Sequence, residues 1–281
     1  MKYCLKYTNI CTKLNKADEI SIKYIEDKGL VDFMEKFKAQ RIILCVNPAD
    51  FSNNEVRKLI AIHKQYPQYN FAVALPYFDA TLMPWLFSEN IPFFIAKPCL
   101  NWEEFHYLLR QGVSDIDISG PLAFEMSKVK QVLDSLDRKV IIRATPNRVE
   151  KIMAQTNSLI GFFIRPEDVE VYEGFIDVFE FEGLEHQDTF FSIYAEQKTF
   201  IGNLNQCIYG FDEKVDNKGL VSLFGERRRD CGRQCLNGGH CRRCFTMANI
   251  SHPMGDRARE YIMEILKKEQ EKISNGKDLS D

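Results

Sequence analysis

Short apolar runs alternate with amphipathic segments along the first two thirds of the chain. The runs have the length of buried strands, and the segments between them carry apolar residues at helical spacing. The predicted strands cover residues 20–24, 42–46, 71–75, 93–96, 116–119, 140–144, 161–164 and 176–181. The predicted helices cover residues 29–38, 53–65, 102–110, 122–136, 148–155 and 167–172. Strands that alternate with helices pair in parallel through βαβ units, and eight is the number that closes a barrel.

A proline recurs where six of the predicted strands end. The six are Pro48, Pro76, Pro98, Pro121, Pro146 and Pro166. Because proline lacks an N–H and presets φ, it fits the first turn of a helix and cannot continue a central strand. The repeated order of strand, proline and helix favours an α/β fold, a compact (β/α)8 barrel of the TIM type over residues 1–211. An open doubly wound sheet is the alternative.

The pattern changes after residue 211. Residues 212–219 are polar and predict a linker, and residues 254–268 carry apolar side chains at helical spacing. Between them lies a cluster of four cysteines within residues 231–244, here called the four-cysteine knot. Residues 212–281 are therefore expected to form a separate C-terminal unit of linker, small Cys4 metal knot and terminal helix.

Several predicted strands change from apolar to charged at their carboxyl ends. Alternate residues of a barrel strand point inward, and the chemistry of parallel barrels lies at the carboxyl-terminal mouth. The alternation predicts an inward-facing charged layer of Lys97, Asp117, Arg143, Arg165, Glu180 and Glu182. The residues of opposite parity, such as Phe94, Ile116 and Ile142, are apolar and are expected to face the helices.

Two interpretations of this charged layer stay open, and the first is a substrate pocket. The residues expected to bind an anionic group by charge-assisted hydrogen bonds are Lys97, Arg143, Arg165, Asn47 and Asn147. The residues expected to act as general acid or base are Asp117, Glu180 and Glu182. The second interpretation is a closed network of ion pairs that plugs the barrel, because buried ions are costly unless they are paired. His186, which follows the last predicted strand, is a weaker candidate.

The four-cysteine knot has the pattern C-x3-C-x5-C-x2-C. Its members are Cys231, Cys235, Cys241 and Cys244. Thiolates two or three residues apart can ligate one ion, and four sulfurs complete a closed tetrahedral shell. A structural zinc ion is expected, with a 4Fe–4S cluster, or disulfides and free thiols, as alternatives. The other cysteines are scattered singly and are expected to be buried as small apolar side chains.

Arginines surround the knot. They are Arg227, Arg228, Arg229, Arg233, Arg242 and Arg243. A zinc ion with four thiolates carries a formal charge of about −2, which some of these cations would neutralise. The surplus makes the knot a candidate contact for nucleic acid or a nucleotide through phosphate groups.

Composition narrows the function classes without selecting a reaction. The formal net charge is −3, so no global field draws the protein to nucleic acid or to an anionic membrane. The chain has no apolar run of membrane-spanning length and no apolar segment after Met1 typical of a signal peptide, which predicts a cytoplasmic protein. Nucleotide-binding, zinc-protease and serine-hydrolase motifs are absent from the sequence.

Three functions fit these observations. The first is a barrel enzyme that binds an anionic substrate with a phosphate or carboxylate group, such as a nucleotide or nucleic acid, at the mouth, with the knot as structural support. The second is a non-enzymatic binding or scaffold protein whose arginine-rich knot contacts nucleic acid or protein. The third is an iron–sulfur redox enzyme.

Overall fold

A computed structural model describes residues 1–206 of the chain with gaps, and nothing beyond them. The gaps are residues 8–11, 24–27, 39, 50, 119–121, 123–124, 148–149, 153–159, 163, 165, 167–168, 170–171, 184–185, 196–199, 201 and 204–205. Arg165, the four-cysteine knot and the predicted terminal helix at 254–268 therefore lie outside the described residues. The proposed boundary at residue 211 lies outside them too.

Eight parallel strands close into a barrel, as the sequence predicts. The barrel strands are β1 (Lys2–Lys6), β2 (Glu19–Lys23), β3 (Arg41–Cys45), β4 (Phe71–Leu75), β5 (Phe93–Cys99), β6 (Asp115–Ile118), β7 (Ile141–Ala144) and β10 (Val178–Glu180). Their order around the barrel is β1-β10-β7-β6-β5-β4-β3-β2, and every pairing is parallel. The protein is thus an α/β barrel of the TIM type, and the open doubly wound sheet is excluded.

Helices connect most of the strands. They are α1 (Lys28–Lys36), α2 (Asn53–Gln65), α3 (Met83–Ser88), α4 (Trp102–Arg110), α5 (Met126–Asp134) and α6 (Gln187–Ala195), with a short 3-10 turn at Leu14–Lys16. The side chains of Ser52 and Asn101 cap α2 and α4 by accepting a hydrogen bond from a backbone N–H of the first turn. In the described part of the chain, no helix is both long enough and apolar enough to cross a membrane.

One predicted strand lies outside the barrel, and one predicted helix is wrong. Residues 160–162 form β9 (Ile160–Phe162), which pairs antiparallel with β8 (Glu150–Ile152) outside the barrel. β8 occupies residues 150–152 of the segment predicted as helix 148–155, so antiparallel pairing with β9 prevails at these three residues over the helical pattern. The eighth barrel strand is β1, at the start of the chain. Its inward-facing positions carry Cys4 and two lysines rather than an apolar run, which hides it from a search for apolar runs.

The barrel has two apolar layers of different character. Large side chains, among them Ile42, Phe71, Ile116 and Phe179, pack between the strands and the helices. Inside the barrel lies a smaller cluster of Cys4, Ile43, Ala72, Ala74, Phe94 and Val178. Most of these interior side chains are small, whereas bulky branched residues dominate the interior of most such barrels. The interior therefore has room for charged side chains as well.

The predicted facing of residues is confirmed on three strands and wrong on one. Asp117, Arg143 and Glu180 share the parity of interior residues on β6, β7 and β10, while Ile116, Ile142 and Phe179 pack toward the helices. On β5 the facing is inverted, because Phe94 points inward. Three consecutive apolar residues at 93–95 give no alternation there, and the pairing with β6 becomes irregular between Ile95 and Cys99.

Candidate functional site

Four charged side chains form a closed network at the amino-terminal base of the barrel. Glu19, Arg41 and Asp115 are the first residues of β2, β3 and β6, and Arg143 on β7 extends down to them. Arg143 Nε and Nη2 donate to the two carboxylate oxygens of Asp115, both at 2.8 Å, and Nη2 lies 2.9 Å from Glu19 Oε2. Arg41 Nη1 lies 3.2 Å from Glu19 Oε1 and 3.1 Å from Asp115 Oδ2. Two cations and two anions thus neutralise one another.

This base network is almost completely buried. The side chains of Arg143, Asp115 and Glu19 are 0%, 1% and 2% exposed. The Arg143 guanidinium also lies over the ring of Phe94, 4.3 Å from its centroid. Burial opposes the charged form of Arg143, but hydrogen bonds and charge from Asp115, and the charge of Glu19, raise its pKa well above the ordinary value. Arg143 is therefore a fixed cation at the base of the barrel.

The guanidinium of Arg143 lies at the base of the barrel and not at the mouth. The sequence assigns this residue to the anion-binding set at the mouth, whereas the structure pairs it with Asp115 and Glu19 in the base. An ion-pair network does fill part of the barrel, as in the second interpretation of the charged layer. Of its four members, only Arg143 belongs to the predicted layer, and the mouth itself keeps a different set of charges.

At the mouth, Lys6 and Glu180 form an ion pair on neighbouring strands. Cys4 pairs in register with Glu180, so Lys6 lies two residues farther toward the carboxyl end of β1. Lys6 Nζ lies 3.6 Å from Glu180 Oε1, and the two side chains are 36% and 18% exposed. Burial lowers the pKa of Lys6, but the charges of Glu180 and Glu182 outweigh it and raise that pKa above its ordinary value. Lys6 is thus an ammonium ion, partly open to solvent, with carboxylates as its neighbours.

Two cysteine thiols lie beside this pair. Burial, and then the charge of Glu180, raises the pKa of Cys45 to about 12. The same two causes raise the pKa of Cys4 well above its ordinary value. Both side chains are therefore protonated thiols near neutral pH, and neither has the low pKa of a nucleophilic cysteine. Among the described residues, the reactive polar groups of the mouth are the ammonium and the carboxylates.

Asn147 and Glu182 meet through the backbone. Asn147 is 0% exposed, and its side-chain carboxamide is engaged at both ends. Its Oδ1 accepts from the backbone N–H of Glu182 at 3.0 Å, and its Nδ2 donates to the carbonyl of Glu182 at 2.9 Å. The carboxamide that the sequence assigns to substrate binding therefore holds the segment just beyond β10.

The remaining predicted residues do not all converge on the mouth. Asp117 is 8% exposed and pairs in register with Arg143. Asn47 is exposed, and its Oδ1 accepts from the backbone N–H of Ala49 within the loop after β3. Lys97 has a side chain 67% exposed and lies 3.8 Å from Glu104 on α4, so it belongs to the rim and not to the inward layer.

His186 precedes α6 and is exposed, with its ring packed against Phe190. In the described ranges, no group of three or more histidine, cysteine, aspartate or glutamate side chains is arranged to hold a metal ion. The predicted metal ligands of the four-cysteine knot lie outside those ranges.

Sequence reasoning missed Lys6, Glu19, Arg41 and Asp115 as members of the two charged groups. Lys6 ends β1 and Glu19 begins β2, two strands whose apolar runs are short, and a charged residue at such a position resembles a loop residue. Asp115 shares the parity of Asp117, which was the signal available for it.

No protein-family model matches the chain, and a search of curated proteins finds no match. The class that the structure defines is a closed, eight-stranded parallel α/β barrel. Barrels of this class support many unrelated reactions, so function has to be argued from the site.

Proposed function

We propose that the protein is an enzyme whose active site is the carboxyl-terminal mouth of the barrel. Lys6 binds an anionic group of the substrate, and Glu180 acts as a general base. The observation that carries this proposal is the Lys6–Glu180 ion pair. Lys6 Nζ lies 3.6 Å from Glu180 Oε1, and both side chains are partly open to solvent. Active sites of parallel barrels lie at this end, where the loops that follow the strands meet.

The division of charges within the barrel supports the proposal. We assign the four-residue network around Arg143 to the stability of the base. Its nitrogen–oxygen distances are 2.8 to 3.2 Å. The Lys6–Glu180 pair is longer and more exposed, and exposed pairs contribute about 0–1 kcal/mol to stability. A looser pair at a solvent-facing position exchanges its partner more easily than a buried one.

When Lys6 exchanges Glu180 for an anionic group of the substrate, binding of the substrate prepares Glu180 for proton transfer. A carboxylate or phosphate that approaches Lys6 competes with Glu180 for the same ammonium group. Once displaced, the Glu180 carboxylate is free to accept a proton from a substrate hydroxyl, ammonium or acidic C–H group. The substrate thus activates the base by binding.

The charge balance also restricts the substrate class. Asp117, Glu180 and Glu182 are carboxyl groups on the inward face, and Lys6 is the cation that accompanies them in the described part of the mouth. We therefore propose a small molecule with one anionic group for Lys6 and hydrogen-bond donors, such as hydroxyl or ammonium groups, for the carboxylates. Lys97 at the rim and Arg165 remain proposed contacts for an anionic substrate.

Ligand-induced stabilisation tests this function. The full-length protein would be screened by thermal denaturation against small hydroxy acids, amino acids and sugar phosphates. A ligand present at 100 times its Kd stabilises by about 2.7 kcal/mol. We expect Lys6→Met to abolish the stabilisation by the best ligand, and Glu180→Gln to retain binding while any turnover is lost.

Lys38→Met is the matched control, because Lys38 forms an exposed ion pair with Glu35 at 2.8 Å. Lys38 lies between α1 and the first residue of β3, and so not at the carboxyl end of a strand. Equal stabilisation of wild type and Lys6→Met would contradict the proposal. Binding without turnover of any ligand would instead favour the non-enzymatic binding protein.

For the C-terminal unit we propose a structural zinc site formed by Cys231, Cys235, Cys241 and Cys244. Their spacing supports it, since four thiolates complete the shell that zinc prefers. A 4Fe–4S cluster at the same cysteines, and with it a redox enzyme, is the alternative, and contact of the neighbouring arginines with nucleic acid stays a prediction. Cytoplasmic location also stays a prediction.

A further inference from the structure

Two buried carboxamide side chains contact the backbone of the two mouth residues Lys6 and Glu182. Gln187, the first residue of α6, is 1% exposed. Its Oε1 accepts from the backbone N–H of Lys6 at 2.7 Å, and its Nε2 donates to the carbonyl of Lys6 at 3.2 Å. Asn147 makes the equivalent pair of hydrogen bonds to the backbone of Glu182, at 3.0 and 2.9 Å. A side-chain carboxamide thus takes the place of a peptide group in both cases.

Both contacts occur just beyond the end of a strand ladder. The β1–β10 pairing ends at Cys4 and Glu180, two residues before Lys6. The β10–β7 pairing ends at Phe179 and Ala144, three residues before Glu182 and Asn147 respectively. On the β10 side no described strand continues the ladder at these positions, although Lys6 stays paired in register with Ser21 of β2 on the other side of β1. Each carboxamide therefore adds one further pair of hydrogen bonds beyond the end of a ladder, Gln187 beyond the β1–β10 ladder and Asn147 beyond the β10–β7 ladder.

We infer that Gln187 and Asn147 are positioning residues, which fix the backbone of Lys6 and Glu182 so that both side chains are held at the mouth. This inference rests on the proposed function of the mouth. The physical reason is that a charged side chain at a strand end without a strand partner on the β10 side samples more positions than one inside a complete ladder, whereas catalytic groups must be held within about 0.5 Å of the productive geometry. An amide supplies a donor and an acceptor on two separate atoms of one plane, whereas a carboxylate offers acceptors alone and a hydroxyl group offers both functions on a single atom.

The neighbouring Asp188 offers a comparison within the same helix turn. Its carboxylate accepts hydrogen bonds from the backbone N–H groups of Thr12 and Lys13, at 2.8 and 3.1 Å. Asp188 therefore ties α6 to the loop after β1. A variant at Asp188 should lose a similar number of hydrogen bonds without releasing the backbone of the mouth residue.

The experiment measures the titration of Lys6 by NMR of the lysine side chain in the full-length protein, without any substrate. In Gln187→Ala the backbone of Lys6 loses its hydrogen bonds on the β10 side and keeps its pairing with β2, so the ammonium is held less closely near Glu180 and the titration should shift to lower pH. Asp188→Ala, matched in thermal destabilisation, should leave the titration of Lys6 at its wild-type position. An unchanged titration in Gln187→Ala, or an equal shift in Asp188→Ala, would overturn the inference.

Hydrogen exchange in the wild-type protein covers the case in which Gln187→Ala does not fold. We expect the backbone amides of Lys6 and Glu182 to exchange about 100-fold or more slowly than unstructured amides, like those of the strands. Exchange at the rate of an open loop would overturn the inference.

The two proposals fail in different ways. If the titration shifts in Gln187→Ala but a ligand still stabilises Lys6→Met, the positioning stands and the proposed function fails. If the titration does not shift but Lys6→Met loses the ligand, the function stands and the positioning fails.

Discussion

Arg143 and Asp115, on the neighbouring strands β7 and β6, form a bidentate ion pair whose two nitrogen–oxygen distances are both 2.8 Å. Glu19 and Arg41 complete the network, so the base of the barrel is charged inside and yet neutral as a whole. The long side chain of Arg143 extends from the upper part of β7 toward the first residues of β2 and β6. This is why a residue near the carboxyl end of its strand contributes its charge to the opposite end of the barrel.

Removal of the Arg143 cation should destabilise the barrel strongly. Arg143→Met leaves the buried carboxylates of Asp115 and Glu19 with Arg41 alone, and removal of one partner of a buried ion pair costs about 3–5 kcal/mol. Urea denaturation measures the free energy of unfolding. Lys38→Met, at an exposed pair, should leave it almost unchanged. A loss below about 1 kcal/mol in Arg143→Met would show that the network does not stabilise the fold.

The parts of the barrel that the sequence predicts are those in which the two faces of a strand differ. On β6, aspartates alternate with isoleucines, and on β7 Arg143 stands between Ile142 and Ala144. A buried charge is tolerated only on the face where other charges can pair with it, so the alternation fixes the inward face. The strand and its facing follow from the same residues.

Where the two faces are alike, or where a charged face makes a strand resemble a loop, the prediction fails. Phe93, Phe94 and Ile95 are apolar on both faces of β5, so nothing in the sequence selects Phe94 as the inward residue. β1 has lysines at both ends, and its place in the barrel follows from pairing with β2 and β10, which are distant in sequence. The partners of Arg143 could not be predicted either. Its long side chain contacts Glu19 and Asp115 on β2 and β6, which are distant in sequence, and the alternation within one strand does not show which other strands lie nearby.

The Lys6–Glu180 pair should make stability depend on alkaline pH. The folded-state pKa of Lys6 is raised above the ordinary value of 10.5, so its contribution is complete below that value and is lost as pH rises through the folded pKa. The difference in unfolding free energy between wild type and Lys6→Met should therefore be constant from pH 7 to 9 and shrink above about pH 10.5. Urea denaturation across this range measures it. A difference that already shrinks between pH 7 and 9 would mean that the pKa of Lys6 is lowered instead.

Cys45 should react slowly with iodoacetamide. Because burial and Glu180 raise its pKa to about 12, against an ordinary value of 9.0, its thiolate fraction at pH 8 is about 1,000-fold lower than that of an ordinary thiol. Mass spectrometry of the Cys45 peptide should show a rate that still rises between pH 9 and 11. Glu180→Gln should move this rise to lower pH by removing the second cause of the shift. A rate that levels off near pH 9 in the wild type would contradict the assigned environment.

The four-cysteine knot should hold about one metal ion per chain in anaerobically purified protein. Cys241→Ser should lose the metal, because three thiolates no longer complete the shell, while the barrel remains folded. Cys99→Ser is the control, since Cys99 is a buried cysteine of β5. Elemental analysis identifies zinc in a colourless sample, or iron in a brown one if the cluster alternative is correct. Four freely reactive thiols without metal would exclude both.

The competition between Glu180 and an anion for Lys6 is tested most directly by the affinity of three proteins for acetate and inorganic phosphate. The wild type, Glu180→Gln and Lys6→Met would be compared by NMR titration at low ionic strength, with Lys38→Met as the surface control. The proposed site predicts opposite effects of the two substitutions. Glu180→Gln should bind the anion up to about fivefold more tightly, because a competing carboxylate worth about 1 kcal/mol is gone, and Lys6→Met should not bind it. Equal affinity in all three proteins, or weaker binding in Glu180→Gln, would contradict an anion site at the mouth.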